Sequence, residues 1–246
     1  MWRRDLSGFI AGCATDRGTV REKNQDRIVC YTDCIAQGQF AAACVCDGIG
    51  SYEYSEIASE IVTGGVTLWY QGVADRKLED LTEQELAEDF CATVQELNEL
   101  VWERRQRERL EIGCTMSALL AVDDHYYIYH VGDSRIYYVS DAVYQLTRDE
   151  VVFSEEYGKI KRKLANCIGR NKELWLNRQY GSILPGDTLI LGSDVLFKKL
   201  DRNSMYGRVQ GLSTDVQVQR LCEDWIREVE SLGERDNISC GIIKRR

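Results

Sequence analysis

The chain has 246 residues, with 40 Asp and Glu against 31 Lys and Arg, 10 Cys, 2 His and 1 Pro. The formal net charge of −9 argues against non-specific binding of nucleic acid, whose phosphates favour a basic surface. An apolar fraction of 44% permits one large core, and a single proline leaves no Pro-rich linker, so we expect a single domain over residues 1–246. His125 and His130 would point to opposite faces of one strand, which disfavours a multi-His zinc site. A Ser-His-Asp triad is disfavoured because it would have to use one of these two histidines.

The cysteine content and the hydropathy pattern predict a cytoplasmic protein. The N-terminal Met-Trp-Arg-Arg lacks the features of a secretory signal, and no run approaches the roughly 18 apolar residues of a membrane span. We therefore interpret the ten cysteines as reduced, structural thiols rather than a disulfide framework.

The predicted elements alternate in groups along the chain. Strands are expected at 8–15, 28–33 and 40–47, helices at 55–70 and from 82 onward, then strands at 116–122, 126–133, 136–139 and 143–146. The charged stretch 154–167 is predicted to be helical, 188–194 to be a strand, and a helix around Trp225 to precede a last strand at 238–244. Thr82 and Glu85 fit a capping box. Grouped strands and paired helices indicate an α+β layered domain and not alternating βαβ units.

Three carboxylates lie beside buried-looking strands. Asp47 ends one strand, Asp194 ends another, and Asp236 directly precedes the last. An ionised Asp at the edge of a core is costly unless it is paired or binds a cation, and an all-oxygen set suits Mg²⁺ or Mn²⁺. Each residue alone is also explained as a cap or turn Asp. The residues therefore leave a metal site and a structural role both open.

The Gly48-Ile-Gly50 turn after a strand is not a dinucleotide-binding turn. Glu53 stands where the third glycine of that motif belongs, and Asp47 would repel a pyrophosphate.

Seven motifs, in order, carry a resemblance to a known family. They are GTVREKNQD (18–26), VCDGIG (45–50) with Glu56 and Ser59, GCT (113–115), HVGDSR (130–135), LTRD (146–149), GDTLILGSD (186–194) and DNIS (236–239). This series resembles the PP2C-type (PPM) metal-dependent protein phosphatases in their compact bacterial form. The resemblance covers about residues 10–244.

The resemblance implies a four-layer α-β-β-α sandwich of two antiparallel sheets flanked by helices, with a metal centre at one edge. It implies Asp47 as the bridging carboxylate and the Gly48 carbonyl as a ligand of one ion. Asp194 and Asp236 would bind the other ion, and Asp133 is similar to the ligand of a weaker third. The implied cofactors are Mn²⁺ or Mg²⁺.

The remaining roles implied by the resemblance concern water and phosphate. Asp26 matches the carboxylate that orients a water, and Arg21 matches the arginine that holds the substrate phosphate. Two ions that share a water activate it for attack on phosphorus, so no protein nucleophile is needed. Glu150 stands where the family often has His, and the general acid stays unassigned.

Three departures affect the site. Val195 replaces the glycine of the family's SDG and resists positive φ, Gln25 replaces a common Glu, and the segment from Glu150 to Leu164 is shorter than the family's flap.

The resulting hypothesis is a monomeric serine/threonine phosphoprotein phosphatase that opposes a serine/threonine kinase and binds neither nucleic acid nor membrane. The alternative is a catalytically weak relative that acts as a phosphoprotein-binding or regulatory module. A metabolite phosphatase is a third hypothesis. Ser134, Arg135 and His130 are expected to be structural.

Overall fold

The computed structural model describes residues 8–75, 77–156 and 159–246. The strands are β1 (Phe9–Asp16), β2 (Arg27–Ile35), β3 (Gly38–Cys46), β4 (Met116–Val122), β5 (His125–Val131), β6 (Arg135–Val139), β7 (Val143–Gln145), β8 (Val151–Glu156), β9 (Lys159–Leu164), β10 (Asn177–Ser182), β11 (Thr188–Gly192) and β12 (Ile238–Arg245). The helices are α1 (Ser55–Ala74), α2 (Glu83–Glu108), α3 (Asp194–Lys199), α4 (Arg202–Gln210) and α5 (Asp215–Ser231).

Two five-stranded antiparallel sheets form the centre of the molecule. The first has the strand order β1-β12-β11-β6-β7, and the second has the order β10-β5-β4-β3-β2. Strands β8 and β9 pair only with each other and form a separate hairpin, which we call the flap hairpin. β3 and β4 are buried along nearly their whole length, because neighbouring strands and layers cover both of their faces.

Three apolar clusters fill the spaces between the layers. One lies between the sheets and includes Leu119, Ile128 and Leu191. A second joins the β10-β5-β4-β3-β2 sheet to α1 and α2, and a third joins the other sheet to α3, α4 and α5 around Trp225. The clusters therefore confirm the predicted α-β-β-α sandwich.

One predicted element is wrong. The stretch 154–167 was expected to be a helix, but the chain forms β8 and β9, which pair in register from Val151 with Leu164 to Glu156 with Lys159. Ile160, Arg162 and Leu164 alternate with Lys161 and Lys163, which is the two-residue period of a strand. The high charge of this stretch obscured the alternation.

Other elements escaped the sequence patterns. β10 is polar and largely exposed, so it carries no apolar alternation, and it is defined by its pairing with β5. The strand expected to reach Asp194 ends at Gly192, and Asp194 is instead the first residue of the short helix α3. The predicted capping box of α2 is confirmed, since Thr82 and Glu85 each accept a hydrogen bond from the other's backbone N–H. None of the helices in the described ranges combines the length and apolar character needed to cross a bilayer.

Phe90 of α2 provides a test of how the α1–α2 layer packs on the sheet. Its ring is fully buried, with its centroid 4.7 Å from that of Trp69 and 4.9 Å from that of Tyr129. We expect Phe90→Ala to lower the free energy of unfolding by about 3–5 kcal/mol, because the truncation leaves a cavity among aromatic side chains. Urea unfolding measures this loss. Leu100→Ala, on the exposed side of the same helix, should change it by less than about 0.5 kcal/mol, and equal effects of the two substitutions would contradict the packing.

Candidate metal centre

The five predicted acidic residues lie at one edge of the sandwich, where strands of both sheets begin or end. Asp47 follows β3, Asp133 follows β5, Asp194 follows β11, and Asp26 and Asp236 precede β2 and β12. The registers explain this convergence, since the end of β3 at Cys46 pairs with the start of β2 at Arg27, and Gly192 pairs with Cys240 near the start of β12.

Backbone hydrogen bonds fix Asp47 and Gly48. The Asp47 N–H donates to Thr115 Oγ1 at 3.1 Å, and the Thr115 N–H donates to the Asp47 carbonyl at 2.8 Å. A Cβ at Gly48 would lie 2.6 Å from the Gln25 Cβ and 2.8 Å from the Gln25 carbonyl oxygen. A glycine is therefore required here by close approach of the chains, and no positive φ is involved.

Asp26 is an almost completely buried carboxylate. Its Oδ2 accepts a hydrogen bond of 2.8 Å from the Ser239 hydroxyl, whereas its Oδ1 is buried with no hydrogen-bond partner in the described part of the chain. The pKa of Asp26 is raised to about 7, mainly by burial and further by the charge of Asp236. The unpartnered Oδ1 is the oxygen that a water or cation in this centre would satisfy.

Asp47 is surrounded by other acids. Its pKa is raised well above the ordinary value, first by burial and then by the charges of Asp26, Asp194, Asp133 and Asp236. Like charges held this close disfavour ionisation of all members. A cation placed among them would reverse this effect.

Two basic residues that the sequence patterns missed contact the cluster. Arg162 of the flap hairpin lies 2.6 Å from Asp133, 3.0 Å from Asp149 and 3.3 Å from Asp194. Lys198 Nζ lies 2.5 Å from the same oxygen, Oδ2, of Asp194. Lys198 follows Asp194 by four residues on α3, a spacing that could have revealed this pair, whereas Arg162 depends on the hairpin and had no such signal.

Arg21 forms a bidentate pair with Asp236. Its Nε and Nη2 donate to the two carboxylate oxygens at 2.8 Å each, and this pairing is the main cause that raises the pKa of Arg21. Two of the five N–H donors of the guanidinium are thereby used, which leaves three for a phosphate. The predicted phosphate-binding residue and a predicted metal ligand therefore contact each other directly.

The residues expected to be structural have structural partners. Arg135 donates two hydrogen bonds of 2.8 Å to Asp149, and the Ser134 hydroxyl contacts that of Thr115. His130 is buried between the Ser117 hydroxyl and the Arg148 carbonyl, and burial lowers its pKa. Glu150, where the family often has His, accepts from the Gly132 N–H at 2.8 Å and the Asn177 side chain at 2.6 Å.

Two of the departures have local explanations. Val195 lies in helix α3 without a positive φ and packs into the apolar cluster around Trp225, so a glycine's freedom is not needed there. Gln25 donates to the Tyr52 carbonyl at 2.9 Å and, at 3.4 Å, to the Glu56 carboxylate. A Glu at position 25 would instead face Glu56 with a like charge.

The residues of this edge fit a hard divalent cation by their chemistry. In residues 8–75, 77–156 and 159–246, no three His, Cys, Asp or Glu side chains are arranged as a ready coordination sphere, and Arg21, Arg162 and Lys198 hold three of the carboxylates. The donor set is nevertheless all oxygen, and Asp26 Oδ1 lacks a partner. These donors are the type that Mg²⁺ and Mn²⁺ prefer. A separate cavity of about 560 Å³ between α2 and β10 is not lined by any of the five acidic residues of this edge.

The comparisons with known proteins identify the family of the chain. A family model described as Protein phosphatase 2C matches residues 17–231. The chain belongs to the protein phosphatase 2C family. A related phosphatase, Protein phosphatase PhpP of Streptococcus pneumoniae, is 26% identical over 93% of this chain and 94% of its own length.

Solved phosphatase 2C structures share the fold. Serine/threonine phosphatase Stp1 from Staphylococcus aureus superposes with a TM-score of 0.78 at 21% identity, covering 100% of this chain and 99% of its own. The catalytic domain of PstP in complex with two manganese ions gives a TM-score of 0.71 at 22% identity, covering 96% of this chain and 97% of its own.

Asp26 predicts a pH dependence of stability. Its pKa of about 7 in the folded state lies above the value near 3.9 of an unfolded chain, so the folded protein keeps a proton that the unfolded chain releases. The contribution of Asp26 to stability is therefore fully present below about pH 4 and is lost as the pH rises through about 7, with Asp47 acting in the same direction. Urea unfolding of chelator-treated protein at several pH values measures this trend.

Two variants distinguish the effect of Asp26 on the pH dependence from the effect of exposed acids. Asp26→Asn should make the loss of stability with pH smaller, because the residue can no longer titrate. Asp80→Asn, at an exposed position, should leave the dependence unchanged. A pH dependence that is the same in the unsubstituted protein and in Asp26→Asn would show that the pKa of this carboxyl is not raised in the folded state.

Proposed function

We propose that the chain is a metal-dependent phosphoprotein phosphatase that hydrolyses phosphoserine and phosphothreonine. The observation that carries this proposal is the gathering of Asp26, Asp133, Asp194 and Asp236 around Asp47, which raises the pKa of Asp47. Bases pair with Asp133, Asp194 and Asp236, as in structural ion pairs, whereas Asp47 lies against acids whose charges oppose its ionisation. Membership of the protein phosphatase 2C family supports the same activity.

The proposed metal ligands are Asp47, the Gly48 carbonyl, Asp194 and Asp236, with Asp133 for a weaker third ion. When bound, the ions supply Lewis acidity, an activated water and neutralisation of phosphoryl charge.

Arg21 and Asp26 complete the proposed mechanism. Asp236 orients the Arg21 guanidinium, whose three remaining donors can hold the phosphate oxygens and stabilise charge that develops on them. Asp26 Oδ1 is buried without a hydrogen-bond partner among the described residues, so it can accept a hydrogen bond from a water, which it would orient. The general acid stays unassigned, because Glu150 is already held by Gly132 and Asn177.

Partner and location follow as further proposals. We infer that the substrates are phosphoproteins made by a serine/threonine kinase, that residues 1–246 act as one monomeric domain, and that the protein is cytoplasmic. The ten free thiols, six of them buried in the sandwich, support a reducing compartment.

A second candidate function is a catalytically weak phosphoprotein-binding relative. The specific observation that favours it is the pairing of Asp194 with both Arg162 and Lys198, because these cations compete with a metal for the same carboxylate. Calorimetric titration with Mn²⁺ discriminates the two functions. Two sites of moderate or high affinity favour the enzyme, and absence of binding favours the weak relative.

Metal-ligand substitutions test the enzyme directly. We expect Asp47→Asn and Asp194→Asn each to lower Mn²⁺-dependent release of phosphate from a phosphothreonine peptide by at least about 100-fold, because each removes a charged ligand. Asp224→Asn, an exposed residue paired with Arg227, is the control and should retain activity. Phosphate release that does not depend on Mn²⁺, or that survives both substitutions, would contradict the proposal.

Arg21 is expected to act on the substrate phosphate. Arg21→Ala should lower kcat/KM for the same peptide by about 10- to 100-fold, because charge-assisted hydrogen bonds to the phosphate are lost. Steady-state kinetics measure the change. Arg17→Ala, at an exposed position of the same loop, should have little effect, and equal losses in the two variants would argue against a specific role of Arg21.

A further inference from the structure

The flap hairpin carries large apolar side chains that are exposed to solvent. Phe153 on β8 is 69% exposed, and Ile160 on β9 is 78% exposed. Two exposed apolar side chains of this size in one short hairpin are unusual unless they contact something, since neither contributes to the core. Their position relative to the acidic edge indicates what that contact is.

Both side chains share a face of the hairpin with Arg162. Phe153 is the cross-strand partner of Arg162, and Ile160 lies two residues before Arg162 on the same strand. Opposite residues of an antiparallel pair, and residues two apart on one strand, point to the same side. Arg162 reaches Asp133 and Asp194 from this side, so the apolar face borders the acidic cluster.

The apolar face lies within reach of a peptide whose phosphorylated residue enters the cluster. Cross-strand neighbours are about 5 Å apart, and two residues along a strand span about 7 Å. An extended peptide advances about 3.3 Å per residue. Residues within about three positions of the phosphorylated side chain can therefore contact Phe153 and Ile160.

A permanently bound partner is disfavoured as the ligand of this apolar face. A partner that covers Phe153 and Ile160 permanently would also lie beside Arg162, which shares their face of the hairpin and pairs with Asp133 and Asp194. A substrate, by contrast, passes this face at every turnover. The continuity of the apolar face with the acidic cluster favours a substrate segment.

We propose that Phe153 and Ile160 select phosphopeptides with an apolar side chain within about three residues of the phosphorylated serine or threonine. The proposal rests on the phosphatase function proposed above and specifies its substrate class. It adds two specificity-determining residues that neither contact the acids nor share the roles of Arg21 and Asp26.

The test compares two phosphothreonine peptides that are identical except for leucine or serine at the two positions on each side of the phosphothreonine. We expect the unmodified protein with Mn²⁺ to prefer the leucine peptide by about tenfold in kcat/KM, a ratio typical of apolar contacts. Phe153→Ser and Ile160→Ser should each reduce this preference to about threefold or less. Phe153→Leu, which keeps an apolar surface, should largely retain it.

Val152 provides the matched control. It neighbours Phe153, is 50% exposed and lies on the opposite face of the hairpin, so Val152→Ser should keep the leucine preference. Equal urea midpoints for all variants establish that the hairpin substitutions leave the sandwich folded. A protein without leucine preference, or a preference that survives both Phe153→Ser and Ile160→Ser, would overturn the proposal.

Two further measurements keep this test separate from the activity itself. If neither peptide is hydrolysed, the phosphatase function fails, and fluorescence anisotropy with the labelled peptides still shows whether leucine strengthens binding through Phe153 and Ile160. Analytical ultracentrifugation examines a second copy as the occupant. Loss of a dimer in Phe153→Ser, with an unchanged peptide preference, would assign this face to self-association and overturn the proposal.

Discussion

Repulsion among buried carboxylates is the constraint on which the rest of this structure depends. Asp26 and Asp47 are held where burial and neighbouring acids both oppose their ionisation, and the pKa values of both are raised. Such an arrangement costs free energy and persists only because the sandwich around it is rigid. A fold optimised for stability alone would replace these acids with apolar or neutral side chains. Their presence therefore indicates a requirement of function rather than of folding.

The scaffold fixes the positions of Asp47 and Asp194 through their backbone. Asp47 is fixed by the exchange of hydrogen bonds with Thr115 between β3 and the start of β4, and Asp194 is fixed as the first residue of α3. Their carboxylates thus remain available for charged ligands. The fully buried β3 and β4 supply the rigidity, because apolar clusters cover them on both faces. The apolar contacts that stabilise the fold therefore lie in the core, whereas the carboxylates that repel one another lie at the edge of the sandwich.

Basic side chains relieve part of this tension. Arg21 pairs with Asp236, Arg162 contacts Asp133 and Asp194, and Lys198 shares Asp194. Each of these cations is partly exposed and carried by a loop, the flap hairpin or the end of a short helix, so each can be displaced at a modest cost. Metal ions can therefore replace these side chains at the carboxylates, and the basic side chains can turn to a substrate phosphate.

The sequence by itself determined the layered fold and the identity of the acids. Continuous apolar runs and helical stripes placed most strands and helices, and the ordered motifs led to Asp26, Asp47, Asp133, Asp194 and Asp236. These features are local, because a strand's burial or a motif's spacing is written in consecutive residues. The structure confirmed the sandwich and brought all five acids to one edge, while the ligand roles of Asp47, Asp133, Asp194 and Asp236 and the water-orienting role of Asp26 stay predictions.

Only the tertiary structure decided which charges meet. The pairing of Arg21 with Asp236 joins residues more than 200 positions apart, and Arg162 reaches Asp194 only because β8 and β9 pair as strands where the charge of residues 154–167 suggested a helix. The polar strand β10 likewise exists through its pairing with β5. Long-range pairing carries no local sequence signal. Part of the excess of acidic residues in the sequence is thus located at one edge of the sandwich. The cations that pair with these acids could be found only in the folded molecule.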